Sequence, residues 1–367
     1  MAQGDAGEYG PGEDRETPGP GEDQQQPGGV DDPGRTRRQV LKAGVGLGAV
    51  AAVGYGYRQS REEVFPTGDG STLDDVPERA EFVFSWTGSE LLAADGLQRA
   101  TDPELAALGI EGIQTTTDVF ETIEAATTIA PRELGEVSAF GTIPTESESY
   151  AGLVFESSAD PETVRERLGE RGNLLETAEH RGQTMWVVGN DQLTWTLALC
   201  HLSGGRYALG SRTELEDVID VRQGEQRRLG GMVIDGFEGA SDGLLRGGFV
   251  VPPAAFSALD LSITTGLADS IEYGFSSLSD GVLTVTLVAP DDGTAQDLDT
   301  TLNALGQLDR TDIAAAVGDS PVIQVVLTIL EDLNTTVNGR EVTATVEDGF
   351  RVPAILISFL LEEALLG

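Results

Sequence analysis

Hydrophobic and polar positions begin to alternate only near residue 78. The segment Glu81-Phe82-Val83-Phe84-Ser85-Trp86 has the two-residue period of a half-buried strand. Spacing beyond it predicts helices over 102–109, opening at Asp102-Pro103, and over 117–129. A strand is predicted over 150–156, then a helix from Asp160-Pro161-Glu162 to about Leu168. Short strand-like runs follow at 175–180, 183–188, 193–202 and 206–209, the first two joined by Arg181-Gly182. Ser211 marks the start of a helix through Val221. Residues 230–248 are Gly-rich and aperiodic, so they read as a separator between lobes 78–229 and 244–367.

Beyond the separator, strands over 270–277 and 282–289 flank Ser279-Asp280-Gly281, and a helix is predicted over 294–308. Ser320-Pro321 opens an apolar helix over 322–333, and Asn338-Gly339 joins strands over 335–337 and 340–346. The segment 353–366 reads as a helix too short to span a bilayer. The fold class is therefore α+β, with one or more mostly antiparallel sheets and helices packed on one face. One internal echo stands out: LVFESSADPETV (153–164) and LTVTLVAPDDGT (283–294) both read strand, acidic turn, helix. A duplicated meander-plus-helix unit and two ordinary strand-to-helix turns account for it equally well.

Charge changes the picture most. The 367 residues carry 62 acidic against 23 basic side chains, a net charge of −39. Lys42 is the single lysine in the chain. A surface so acidic and lysine-poor resembles the proteins of extreme halophiles, where salt screens the repulsion among carboxylates. Carboxylate clusters are background in such a chain. The basic footprint that nucleic acid requires is missing. One cysteine, Cys200, excludes an internal disulfide and multi-cysteine metal sites.

Residues 1–34 hold fourteen Gly or Pro and nine acidic residues, with almost nothing apolar. Such a segment cannot offset its ordering entropy and reads as a disordered tail. It leads into Thr36-Arg37-Arg38-Gln39-Val40-Leu41-Lys42 and the uncharged run 43–57. This stretch resembles a twin-arginine export signal, departing from the pattern only at Val40, where Phe is commonest. The resemblance implies export of an already folded protein, with Arg37, Arg38, Leu41 and Lys42 read by the twin-arginine translocation machinery. The single Ala-x-Ala, Ala49-Val50-Ala51, would leave a short hydrophobic core. Residues 35–57 are thus read as an uncleaved signal and membrane anchor, with secretion after cleavage as the alternative. Residues 58–77 suit a linker, and 78–367 an extracytoplasmic domain. In overall plan the chain is similar to uncharacterised twin-arginine-exported proteins of halophilic archaea.

Catalytic signatures are scarce. No Gly-x-Ser-x-Gly elbow occurs, and phosphate loops and Schiff bases lack a lysine outside the signal. Gly44-x-Gly46-x-Gly48 lies within the signal and follows no strand, so it is no dinucleotide fingerprint. His180 and His201, with nearby carboxylates, are the weak candidates for a metal or hydrolase site. Cys200-His201 makes a poor dyad, because neighbouring strand residues point to opposite faces. Asp291-Asp292-Gly293 lacks the spacing of a calcium loop. Asn334-Thr335-Thr336 is the one N-glycosylation sequon, with Asn334 as acceptor. The expectation is a membrane-anchored envelope protein with a non-enzymatic binding or structural role and no cofactor. Its partner would be another protein or a small, lipid-like apolar ligand held between sheet and helices. The alternative is an exported hydrolase or metal-dependent enzyme using His180 and His201.

Overall fold

The structure, a computed structural model, describes residues 71–91, 94–108, 114–118, 121, 124, 128–130, 133–142, 150–170, 174–188, 197–251, 267–306 and 334–350. The export signal, the tail and the helices expected over 322–333 and 353–366 lie outside them.

The twelve strands among the described residues form one sheet, every neighbouring pair antiparallel. They are β1 (Phe82–Thr87), β2 (Leu134–Gly141), β3 (Ala151–Ser157), β4 (Leu174–His180), β5 (Gln183–Val188) and β6 (Leu197–Ser203). The rest are β7 (Arg206–Gly210), β8 (Leu245–Phe249), β9 (Tyr273–Ser279), β10 (Val282–Val288), β11 (Asn334–Asn338) and β12 (Glu341–Val346). Across the sheet they run β11-β12-β10-β9-β8-β1-β2-β3-β7-β6-β5-β4. Six α-helices accompany them among the described residues: α1 (Gly88–Leu91), α2 (Asp95–Leu108), α3 (Pro161–Glu170), α4 (Arg212–Arg222), α5 (Met232–Gly239) and α6 (Asp292–Gly306). The chain is thus α+β with an antiparallel sheet.

Helices cover both faces of that sheet rather than one. Phe84, Trp86, Leu153 and Phe155 pack on a first face with Leu97 and Leu105 of α2 and Val164 and Leu168 of α3. Val83 and Val154, which alternate with them, pack on the second face with Leu215, Val218 and Ile219 of α4 and Val233 and Phe237 of α5. The middle strands are buried on both sides, which is why so many of their residues are apolar or small.

The echo in the sequence corresponds to a repeat in topology. Three meandering strands, β1-β2-β3, lead into α3, and the last hairpin of that half brings β7 back beside β3. Likewise β8-β9-β10 lead into α6, and a hairpin brings β12 back beside β10. The halves meet at β1 and β8, which pair antiparallel from Phe82↔Phe249 to Ser85↔Arg246. That arrangement corresponds to a two-fold axis normal to the sheet, with the hairpin β4-β5 added to the first half. Leu153 and Leu283 occupy the same face, and equivalent aspartates cap the two helices. Asp160 accepts from the Thr163 N–H and hydroxyl, both at 2.9 Å. Asp291 accepts from the Thr294 N–H at 2.9 Å and its hydroxyl at 3.1 Å.

Two strands escape the sequence pattern. β2 is buried along nearly its whole length, so it has no polar alternation to reveal it. The Gly-rich stretch expected to separate lobes instead forms α5 and β8. Glycine is required there: a Cβ at Gly248 would lie 2.1 Å from the Val233 carbonyl oxygen, and one at Gly247 2.2 Å from the Phe84 ring. α2 also begins seven residues before the expected Asp102 and carries Pro103 inside it. Asp102 does not cap a helix start; it accepts the Thr116 N–H at 2.8 Å and its hydroxyl at 2.6 Å. The tight turns at Arg181-Gly182 and Asp280-Gly281 have positive φ at both positions, as type I′ hairpins require. The β11–β12 loop is Gly339-Arg340, one residue later than Asn338-Gly339 suggested.

Candidate functional site

The densest buried polar constellation lies on the second face, where the chain enters the domain. Residues 71–77, expected to be the end of a linker, are docked into the domain instead: Ser71 starts a 3₁₀ turn (Thr72–Asp75), and its N–H donates to Asp74 Oδ2 at 3.1 Å. The Ser71 hydroxyl donates to Glu136 Oε1 at 2.8 Å, and Ser85 Oγ reaches the same oxygen at 3.4 Å. Thr72 Oγ1 and Ser138 Oγ lie 2.6 Å apart, both fully buried. Asp75, at the end of the turn, is shared by two guanidinium groups. Arg206 Nη1 donates to its Oδ2 at 3.0 Å, and Arg222 Nη1 donates to Oδ1 at 2.9 Å and Oδ2 at 2.7 Å. Arg222 also donates to Ser203 Oγ at 2.8 Å.

The backbone completes the junction: Leu229 N–H donates to the Val76 carbonyl at 2.7 Å, and Glu78 N–H to the Arg227 carbonyl at 3.0 Å. Arg228 pairs with Asp74. Beneath the turn, burial and then the charge of Glu136 push the Glu156 carboxyl above the ordinary range, with Arg206 opposing. This set pairs guanidinium groups with the Asp75 carboxylate, and hydroxyls with Glu136 and with each other. Its hydrogen bonds and ion pairs tie the entering turn to β2, β7 and α4.

His180 and His201 are not brought together. His180 Nε2 lies 2.7 Å from Asp220 Oδ1 of α4, on the second face. Asp220 also accepts from Arg181 Nε at 2.6 Å. Burial raises the Asp220 carboxyl, but the bonds from His180 and Arg181 outweigh it and hold its pKa below the ordinary value. His201 alternates with Cys200 along β6 and lies on the first face, its ring 5.0 Å from that of Tyr207. Burial, then the Arg222 charge, lower its pKa. With the sheet between them, the two rings cannot ligate one ion.

Cys200 is fully buried on the second face, and burial pushes its thiol up to about 12. Among the described residues, no group of three or more His, Cys, Asp or Glu side chains is arranged to hold a metal. Asp291 caps α6. Asn334 opens the exposed edge strand β11. Arg37, Arg38, Leu41 and Lys42 lie outside the described residues.

Sequence reasoning missed the junction altogether, because its members are scattered from Ser71 to Arg228 and each is an ordinary residue in an acidic chain. A further feature was equally silent. Among the described residues, the Nε1 of Trp186 and the Oγ1 of Thr101 are buried without a hydrogen-bond partner. Trp186 belongs to the apolar layer of the first face, which also includes Leu97 and Leu105 of the helix that carries Thr101.

No protein-family model matches the chain, and no curated protein matches it. Among solved structures it is similar to three crystal forms of TP0453. Form III is 10% identical at a TM-score of 0.41, covering 78% of this chain and 97% of that one. Form I is 8% identical at 0.40, covering 80% and 99%, and form IV is 9% identical at 0.41, covering 78% and 96%. Among the described residues no helix is long and apolar enough to cross a membrane.

Proposed function

We propose that this is a twin-arginine-exported envelope protein of halophilic character, anchored by residues 43–57, whose α+β domain has a binding or structural role rather than a catalytic one. The observation that carries the proposal is the pairing of the signal-like run at 36–42 with the junction at 71–78. The first turn of the domain is held by Glu136 and Ser138 of β2 and by residues 203–229, so it docks once the chain has folded. A pathway that transports folded proteins suits a domain built this way. The strong acidity suits a saline exterior.

The test is fractionation of cells producing the native chain and the R37K/R38K variant. The native protein is expected on the outer face of the membrane and the variant inside. Finding the variant outside overturns the export route. A mature N-terminus beyond Tyr57 overturns the anchor and leaves a secreted protein.

A small apolar ligand is the binding partner favoured by one observation, the partnerless Trp186 Nε1 within the apolar first face. A buried donor of this kind is what a ligand oxygen would satisfy. Native mass spectrometry of protein recovered from membranes checks it. A mass equal to that of the bare chain counts against a bound ligand. The alternative, an exported hydrolase or metal-dependent enzyme, would have to use His180 and His201 separately, since they lie on opposite faces of the sheet.

A further inference from the structure

We propose that Asn334 is N-glycosylated in the exported protein and that the sugar guards the β11 edge of the sheet; this rests on the export reading above. An open antiparallel sheet has two edges, each a row of unpaired N–H and C=O groups that can recruit another strand. Among the described residues these edges are β4 and β11. β4 is guarded in the ordinary way: Glu176 and Glu179 are exposed along it, and its register with β5 is broken between Leu174 and Glu176. β11 has none of these devices. Asn334-Thr335-Thr336-Val337-Asn338 carries no charge and no proline, and its register with β12 runs unbroken from Asn334↔Thr345 to Asn338↔Glu341. The other edge strand, β4, carries two glutamates where β11 carries no carboxylate.

The one sequon of the chain falls on that strand. Alternation places Asn334 and Thr336 on one side and Thr335 on the other. Thr335 faces α6, where its hydroxyl accepts from Asn303 Nδ2 at 2.9 Å and pairs with Asp299. Asn334 and Thr336 are both exposed on the opposite side, where no described helix packs on β11 or β12. Asn334 and Thr336 therefore share one exposed side of the strand.

The donor required is a lipid-phosphate-linked oligosaccharide outside the membrane. The Asn334 Nδ2–C1 bond forms and the C1–O bond to phosphate breaks. The phosphate leaves with the electron pair, and Nδ2 gives up one proton. No oxidation or reduction is involved.

The experiment recovers the full chain from an exporting, glycosylating host, fractionates it, and measures the mass of the proteolytic peptide containing Asn334. A hexose-type mass increment is expected on protein from the outer face. It should be lost in Asn334→Gln and Thr336→Ala and kept in Thr336→Ser. An unmodified peptide from protein outside the membrane overturns glycosylation while export stands; native protein found only inside overturns both readings. Sedimentation velocity tests the guard role. The Asn334→Gln protein is expected to self-associate at concentrations where the glycosylated protein is monomeric, and an unchanged sedimentation coefficient overturns that role.

Discussion

Arg206 and Asp75 stand 131 positions apart in the chain, yet Arg206 Nη1 donates to Asp75 Oδ2 at 3.0 Å with both side chains almost fully shielded from water. A charge pair so enclosed costs desolvation on both sides, and its attraction offsets that cost only while both partners are present. Asp75→Asn leaves Arg206 and Arg222 facing a neutral amide and should lower stability by about 3–5 kcal/mol. Arg206→Met should cost less, because Asp75 keeps Arg222 at 2.7 Å. Urea unfolding of the three proteins at fixed salt checks the order.

Backbone proximity predicts a second effect. Gly248→Ala would drive a methyl group into the Val233 carbonyl oxygen and the Phe237 nitrogen, neither of which has a flexible end to move. α5 must lift from β8, at a cost of about 1–3 kcal/mol or more. Gly169→Ala is the control: nothing lies within 4 Å of the new methyl and it sits inside α3. That change should stabilise by about 0.5–1 kcal/mol. Thermal midpoints moving in opposite directions would bear out both.

His201 gives a pH prediction. Burial and Arg222 lower its folded pKa below the value of 6.5 it has when unfolded. Above pH 6.5 the ring is neutral in both states and contributes nothing. As pH falls from 6.5 towards the folded pKa, the unfolded chain takes up the proton more readily, so stability is lost. Glu156, whose folded pKa is raised above 4.5, has the opposite slope, losing stability as pH rises through its window. The difference between native and His201→Gln unfolding curves isolates the histidine. The native protein should lose more stability than the variant on acidification from pH 7 to pH 5.

Cys200 should be inert. A thiol pushed up to about 12 and sealed on the second face holds almost no thiolate near neutral pH. A maleimide or disulfide reagent should label it only at the rate of unfolding, and rapid labelling of the native protein would contradict the packing.

Much of the fold was legible because the informative elements alternate. β1, β3, β5, β10 and the Arg181-Gly182 and Asp280-Gly281 turns announce themselves by period and by residues that accept positive φ. β2 does not, since burial on both faces erases the alternation. β8 hides behind Gly247 and Gly248, which look like linker residues until α5 and Phe84 are laid against them. The helices on both faces were invisible for a related reason: a strand buried on both sides does not declare which face will be covered. The two histidines were legible as rare residues, but their separation by the sheet depends on register, which the sequence does not print. The junction depends on pairings across more than a hundred residues and left no local trace.

That junction also decides how the domain meets force. Ser71, Thr72 and Asp75 grip β2, β7 and α4, well inside the sheet and several strands from either end. A pull on Ser71 would therefore load β2, β7 and α4 in the interior of the sheet before it reached either edge strand.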